Sequence, residues 1–574
     1  MAQGHMLPTL DMAKLLAARG VKSTIITTPL NAPLFTKAIT DVNFQNSPSK
    51  IILRLVEFPT KQAGLPDGLE NLDLVSGPDT HCKFFHALTL LKHTTEEILA
   101  ELRPHAFIAD TFFTWATDLA SKFGIPRIVF HGTSFISMCC MESLERFQPY
   151  KSVDSDSEPF VLPGNLPDEI KLTRLQIPDH LRLGLVNDFT KLLESAREAG
   201  KRSYGMVVNS FYELEPAYAD HYRKVLGKKA WHIGPVSLCN KNDSEKARRG
   251  KQAGIDEHEC LKWLASKKPG SVVYMCFGTN ASFSASQLRE IATGLAASGQ
   301  NFIWVVRKAK NNDGEEEWLP EGYEKRVEEK GLIIRGWAPQ VLILDHEAVG
   351  GFVTHCGWNS VLEGVSAGLP MVTWPIFAEQ FYNEKLITEV LRTGVTVGAK
   401  KWIRLVGDYV KSEQIERAVK EIMIGERSEE MRSRAKAVGE MARRAVEEGG
   451  SSYSDLGNLI QELKSGLIGR VSAGLQLVTW SILTEQFYNE KLIAEVLRTG
   501  IGAVVGANKG NFLVRGMNAN LKFRMVRDYV KKKIVGERSE EMRRRERRLG
   551  KWQGGMLKVG KSYSDLGYLI QEFK

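Results

Sequence analysis

WAPQVLILDHEAVGGFVTHCGWNSVLEGVSAGLPMVTWPIFAEQ, from Trp337 to Gln380, is the stretch on which the fold turns. Gly350-Gly351-Phe352-Val353-Thr354-His355 predicts a short buried strand that delivers a histidine at its carboxyl end. Cys356-Gly357-Trp358-Asn359-Ser360 predicts the opening of a helix whose first unbonded amides can face an anion. Ser360 and Glu363 stand three residues apart beside apolar Val361-Leu362, which is also the spacing of a capping box. On spacing alone the structural and the ligand-facing readings of these two residues stay open.

Working outward, 574 residues are enough for two or more domains with sizeable cores. A hydrophobic share of 43% and a charged share of 25% are ordinary globular values and argue against wholesale disorder. The seven cysteines are scattered, without CxxC spacing, and Cys139-Cys140 are adjacent, so a reduced, cytoplasmic compartment is expected. No apolar run reaches the length of a membrane span, and the first residues lack the apolar core of a signal peptide; a soluble chain is expected. The net charge is +9, but Leu521 to Lys574 alone holds 16 Lys plus Arg against 7 Asp plus Glu. The excess therefore sits in the tail. Without an aromatic-studded basic face, it gives no support to a nucleic-acid partner.

Strand-like runs at Ser23–Thr28, Ile51–Val56, Ala106–Ala109, Ile128–Phe130 and Met206–Asn209 alternate with helical stretches such as Phe84 to Leu102 and Thr114 to Phe123. The first helix is expected from about Leu7 to Arg19, with Pro8 in its first turn and Gly20 at its end. A polar, charged stretch at 239–256 reads as a linker between domains at 1–238 and 257–464. The second unit continues through Val272–Phe277, Ser284–Ser298, Phe302–Val306 and Leu332–Arg335 into the opening stretch. The class is α/β: two parallel-sheet, Rossmann-like domains facing a cleft where strand carboxyl ends converge. Asn311–Trp318 is an acidic surface loop.

The stretch from Trp337 to Gln380 resembles, nearly position for position, the signature box of plant family-1 UDP-sugar glycosyltransferases. The resemblance runs from about Ala2 to Lys464 and is strongest to enzymes that glucosylate phenylpropanoids, flavonoids and related metabolites. It implies the GT-B fold, with acceptor in the first domain and UDP-sugar in the second, and inverting transfer of glucose from UDP-glucose to a hydroxyl. UDP-glucose would be a co-substrate. A monomer is expected, and no metal, since no Asp/His cluster has ligand spacing.

By the resemblance, His5 in Gln3-Gly4-His5-Met6 is the general base and Asp110, at the end of Phe107-Ile108-Ala109-Asp110, is its partner. A histidine suits the task because its pKa lies near neutrality, and a carboxylate on the far nitrogen fixes the tautomer. The bland reading of Asp110 is a turn former. Trp337 would stack on uracil, with a core tryptophan as the alternative; Ala338 and Gln340 would bind its edge. His355, Asn359 and Ser360 would contact the diphosphate, and Glu363 would accept from the ribose hydroxyls. Trp358, Glu379 and Gln380 would contact the hexose, Gln380 marking glucose users. Thr279 would reach a phosphate and Thr133 the sugar. Phe84, Phe112, Phe113 and Phe135 are expected to wall the acceptor.

Two departures follow. Family members carry a hydrophobic strand before the Gly-His turn, whereas four residues precede His5 here. The first sheet is therefore expected to have a central gap, with His5 on a frayed terminus and weak activity. The tail, 465–574, is an imperfect repeat: Val365–Gly394 recurs as Val471–Gly500. The second copy lacks counterparts of Trp337, His355, Asn359, Ser360 and Glu363, and has Gln476 and Ser481 where the first has Pro370 and Pro375. It is expected to hold no donor site and to be dispensable for UDP binding, with Arg543–Arg548 as a charged helix or disordered run. A UDP-sugar-binding pseudoenzyme or inactive duplication product is the alternative function. A nicotinamide dehydrogenase is disfavoured, since no Gly-x-Gly-x-x-Gly follows a strand.

Overall fold

The structure is a computed structural model that describes residues 3–44, 48–75, 78–279, 281–306, 319–465 and 476–480. The acidic loop at 311–318 and the tail beyond 480 lie outside the described residues. By its contacts the chain divides into a large unit, Met1–Val75 with Lys83–Glu485, and a smaller one, Ser76–Cys82 with Gln486–Lys574. The large unit holds the sheets that follow.

The strands of the first half are β1 (Lys22–Thr27), β2 (Ile51–Leu55), β3 (Ala106–Asp110), β4 (Arg127–His131), a short β5 (Pro159–Val161) and β6 (Lys171–Thr173), β7 (Gly205–Val208) and β8 (Ala230–His232). Those of the second half are β9 (Val272–Cys276), β10 (Asn301–Val306), β11 (Gly331–Arg335), β12 (Val349–Thr354), β13 (Met371–Thr373) and β14 (Gly394–Thr396). The tail adds β15 (Gln476–Trp480). One parallel sheet has the order β2-β1-β15-β3-β4-β7-β8, and the other β11-β10-β9-β12-β13-β14; β5 and β6 form an antiparallel ribbon. Every residue of β3, β9 and β12 is buried. Sheets covered by helices on both faces demand such unbroken apolar runs, which is why these strands are readable without alternation.

The expected gap in the first sheet is not there. β15 occupies the position between β1 and β3, pairing Lys22 with Gln476 on one side and Ala106 with Leu477 on the other. The backbone groups thought to be orphaned are thus in a ladder, and a tail segment expected to play no part is in the core. The first helix also differs from expectation. It spans Gln3–Ala18, so His5 lies in its first turn and is buried. Pro8 falls inside this helix, where its ring nitrogen cannot donate to the carbonyl one turn earlier.

The helix Ser451–Ser465 crosses back onto the first sheet. Its Leu456, Leu459, Ile460 and Leu463 share one core with Met12, Leu16, Ile108 and Leu477. Asp455 accepts from the His232 backbone N–H at 2.9 Å and pairs with Arg223 at 2.6 Å. Among the described residues no helix is long and apolar enough to cross a membrane.

Candidate active site

The carboxyl ends of both sheets face a cavity of about 370 Å³, lined by His5, Thr279, Trp337, Ala338, Gln340, His355, Trp358, Asn359, Ser360, Glu363, Glu379 and Gln380 among others. These are twelve of the fourteen residues assigned a catalytic or donor-site part from the sequence. Asp110, which stands behind His5, and Thr133 are the two that do not line it.

On the first-domain wall, His5 Nδ1 lies 2.5 Å from Asp110 Oδ2. Asp110 is fully buried, and its Oδ1 accepts the Phe112 N–H at 3.2 Å. Arg127 donates to the Asp110 carbonyl at 2.9 Å and to Thr117 Oγ1 at 2.7 Å, fixing the strand end from below. Burial lowers the pKa of Arg127 to about 10, against the opposing pull of Asp110, so it remains a cation at neutral pH. The His5 ring meets the edge of Phe130 at 6.1 Å and 78°. Gly132 follows β4 beside the imidazole, where a Cβ would sit 3.2 Å from His5 Cε1 and press the ring by a few tenths of an ångström.

The second-domain wall is built on His355, which follows β12. A Cβ would come within 2.8 Å of its ring at Gly278 and within 2.4 Å at Gly357, so the imidazole is held between two glycine backbones. Burial lowers its pKa to about 4, leaving it neutral at pH 7. Its Nδ1 is buried and makes no hydrogen bond among the described residues. The helix Trp358–Ala367 starts at Gly357 with no side-chain cap. The capping-box spacing of Ser360 and Glu363 is therefore not used as a cap. Instead Gln340 Nε2 donates to Glu363 Oε2 at 2.7 Å and to Ser360 Oγ at 3.2 Å. With glycine as N-cap, the amides of the first turn are left towards the cavity.

Two residues tie the walls together. Asn359 Nδ2 donates to the Gly4 carbonyl at 2.5 Å. That carbonyl is the one Pro8 leaves without its helical donor, so an interruption in the first helix becomes a contact to the second domain. Trp358 donates its indole N–H to the Asn209 carbonyl at 2.7 Å, and its ring is core. Asn383 reinforces the joint: its Oδ1 accepts from Ser134 and Ser137 at 2.8 and 2.9 Å, and its Nδ2 donates to the Cys356 carbonyl at 2.9 Å. Gln380 Oε1 accepts the Ile376 and Phe377 amides at 2.8 and 3.0 Å. Burial raises the pKa of Glu379.

Sequence reasoning missed Arg249. It lies in the stretch read as a linker, which also carries a short helix, Asp243–Ala247. The Arg249 side chain is only 8% exposed, pairing with Asp11 at 2.8 Å and with Glu363 at 2.6 Å. The next residue, Gly250, has φ +110°, and a Cβ there would fall 2.1 Å from the Trp337 ring. The linker backbone thus lies on the indole, and Gly254 donates to the Trp337 carbonyl at 2.7 Å. One arginine in a charged run carries no signal of burial.

The aromatic acceptor wall needs correcting. Phe84, Phe113 and Phe135 are fully buried, against Phe58 and Phe85, Trp115 and Trp480, and Tyr222 and His232 respectively. Phe112 packs on Phe85. Phe84 lies within the helix Pro78–Leu102, and Phe112, Phe113 and Phe135 follow β3 and β4, so these rings pack between helices and sheet. Thr133 is buried too, its hydroxyl making no hydrogen bond among the described residues.

Two parallel α/β sheets that share one cavity at their strand ends, a buried His–Asp pair on one wall and a helix start on the other, define the GT-B class of glycosyltransferase. Comparison with known proteins narrows this. The model of the UDP-glucoronosyl and UDP-glucosyl transferase family matches residues 250–433. A scopoletin glucosyltransferase of Nicotiana tabacum is 56% identical over 465 residues, covering 81% of this chain and 96% of that protein. An anthocyanin 3'-O-beta-glucosyltransferase of Gentiana triflora is 53% identical over 470 residues, covering 81% and 97%. The crystal structure of Glycyrrhiza uralensis UGT73P12 with glycyrrhetinic acid 3-O-monoglucuronide matches with a TM-score of 0.75 at 42% identity, over 81% of this chain and 94% of that one. Phytolacca americana UGT2 with UDP-2fluoro-glucose and pterostilbene matches at 0.63 and 26%, over 80% and 97%. The chain belongs to the plant family-1 UDP-glycosyltransferases, and is a glycosyltransferase with a UDP-sugar as donor.

Proposed function

We propose that the chain transfers glucose from UDP-glucose to a hydroxyl of a plant phenolic or similar small molecule, with inversion, giving a β-glucoside and UDP. The observation that carries this reading is the 2.5 Å His5–Asp110 contact beside the cavity lined by Trp337 to Gln380. With Nδ1 committed to Asp110, the acid–base function falls to His5 Nε2. As the acceptor oxygen bonds to the anomeric carbon, Nε2 takes its proton, and the anomeric C–O bond breaks with its electron pair leaving on UDP. Asp110 holds the ring in the required tautomer and stabilises the imidazolium.

His355, Asn359, Ser360 and the first-turn amides of the helix Trp358–Ala367 take the charge that builds on the diphosphate. Thr279 adds a hydroxyl at the same end. Trp337, Ala338 and Gln340 hold the uracil. Glu363 takes the ribose, sharing its carboxylate with Arg249. Glu379 accepts from hexose hydroxyls and the Gln380 NH₂ donates to them. The names of the relatives, which include scopoletin and anthocyanin glucosyltransferases, support a phenolic acceptor.

The test is incubation with UDP-glucose and a panel of coumarins, flavonols and anthocyanidins, with products resolved by mass spectrometry and the anomeric coupling read by NMR. A β-glucoside is expected. UDP binding by calorimetry without transfer to any acceptor would overturn the reading and leave a nucleotide-binding remnant.

A further inference from the structure

We propose that the channel between β1 and β3 is a strand-acceptance site and that the second copy of the repeat supplies its occupant, Gln476–Trp480, making the tail a working part of the catalytic half.

The first support is the double ladder. β15 runs parallel to both neighbours, in register from Lys22–Gln476 to Ile25–Thr479 on one side and from Ala106–Leu477 to Ala109–Trp480 on the other. Its residues Leu477 to Trp480 are buried, and the two faces are filled differently. Leu477 joins the core of Met12, Leu16 and Ile460. Trp480 packs on Phe113 at 4.7 Å and Trp115 at 6.1 Å between ring centres.

The second support comes from the repeat itself. Leu477-Val478-Thr479-Trp480 is the counterpart of Met371-Val372-Thr373-Trp374. The earlier copy is β13 with the tryptophan that follows, also buried throughout and also parallel between two neighbours. Duplication has therefore copied a segment already fitted to an interior parallel position, which takes apolar or β-branched side chains on both faces. The replacement of Pro370 by Gln476 suits the new place. Pro370 of the first copy has no N–H, whereas the Gln476 N–H donates to His105 Nδ1 at 2.9 Å while its carbonyl accepts the His105 N–H at 2.8 Å.

The consequence for function rests on the His5–Asp110 reading given above. β3 ends on Asp110, and the helix that carries His5 lies over β15 through Met12 and Leu16. Removing β15 takes away the element between β1 and β3 and the floor of that helix together. The sheet β9 to β14 does not contain it, and the donor residues meet the first helix through Asn359 on Gly4 and Arg249 on Asp11.

Hydrogen exchange of the full chain tests the placement: amides of 477–480 should exchange as slowly as those of 106–110. Exchange at the rate of an unstructured peptide would overturn the proposal. In the full chain, Val478→Pro should abolish transfer and the protection of β1 and β3, with the protection of β9 to β12 unchanged. Wild-type transfer by Val478→Pro would also overturn it. Gln476→Pro, which restores the first-copy residue and removes one hydrogen bond, gives a milder version of the same loss should the first variant not fold. Slow exchange at 477–480 in a chain that glucosylates nothing would sink the functional reading and leave the strand assignment standing.

Discussion

At the scale of single residues, the site is a set of polar groups each held by a second group. His5 is oriented by Asp110, Asp110 by the Phe112 amide, and Glu363 by both Gln340 and Arg249. His5→Ala removes the proposed proton acceptor, so kcat/KM should fall by roughly 10²–10⁴-fold while the dissociation constant for UDP stays the same. Asp110→Asn should lower kcat by a comparable factor through the wrong tautomer, read by steady-state kinetics across pH. Arg249 makes a different demand. Its side chain is buried between two buried carboxylates, and removing one member of such a cluster leaves uncompensated charge. Arg249→Ala should cost about 3–5 kcal/mol in urea unfolding, whether or not donor is present.

At the scale of elements, both walls owe their shape to chain that departs from regular structure. Pro8 frees a carbonyl for Asn359, and glycines at 278 and 357 admit the His355 ring. Gly278 has φ +67°, so a side chain there meets strain as well as the imidazole 2.8 Å away. Gly278→Ala should cost roughly 1–3 kcal/mol, through backbone strain and a shifted His355, measured as weaker UDP binding in calorimetry with the His5–Asp110 wall undisturbed. The helix Trp358–Ala367 shows why capping-box spacing misled. Gly357 is its N-cap, which puts Ser360 at the third helical position and turns Glu363 to the cavity instead of back to the cap.

At the scale of the whole molecule, buried titratable groups set how stability follows pH. Burial pushes His131, His180 and His355 down to about 4 from 6.5. Their contribution is present above the unfolded value and is lost as pH falls from 6.5 towards 4. Burial pushes Glu215 and Glu384 up to about 7 from 4.5, so their contribution is present in acid and lost as pH rises from 4.5 through 7. The two sets oppose each other, and the melting temperature should peak near neutrality. Glu384 accepts from Thr373 Oγ1 at 2.7 Å, a bond a carboxamide oxygen also accepts. Glu384→Gln should therefore keep the fold and move the peak to higher pH, read by melting curves between pH 5 and 9; an unmoved peak would show that Glu384 does not charge in this range.

The sequence by itself determined the class of fold and most of the cavity wall. Strands buried on both faces are continuous apolar runs, and a helix start after a strand is local chemistry, so β3, β9, β12 and Trp337–Gln380 were legible without contacts. The carry-over of His5, Asp110 and the donor residues came with the resemblance, and tertiary structure set their distances. Only tertiary structure decided which aromatics go to the core, because Phe113 and Phe135 face layers built by distant segments. It also decided that the Arg249 side chain is buried against Asp11 and Glu363, since a charged linker looks the same whether it is docked or solvated. Above all it decided the place of Gln476–Trp480. A five-residue apolar strand fits many parallel ladders, and nothing local to it names the pair of neighbours, β1 and β3, more than 350 residues earlier in the chain.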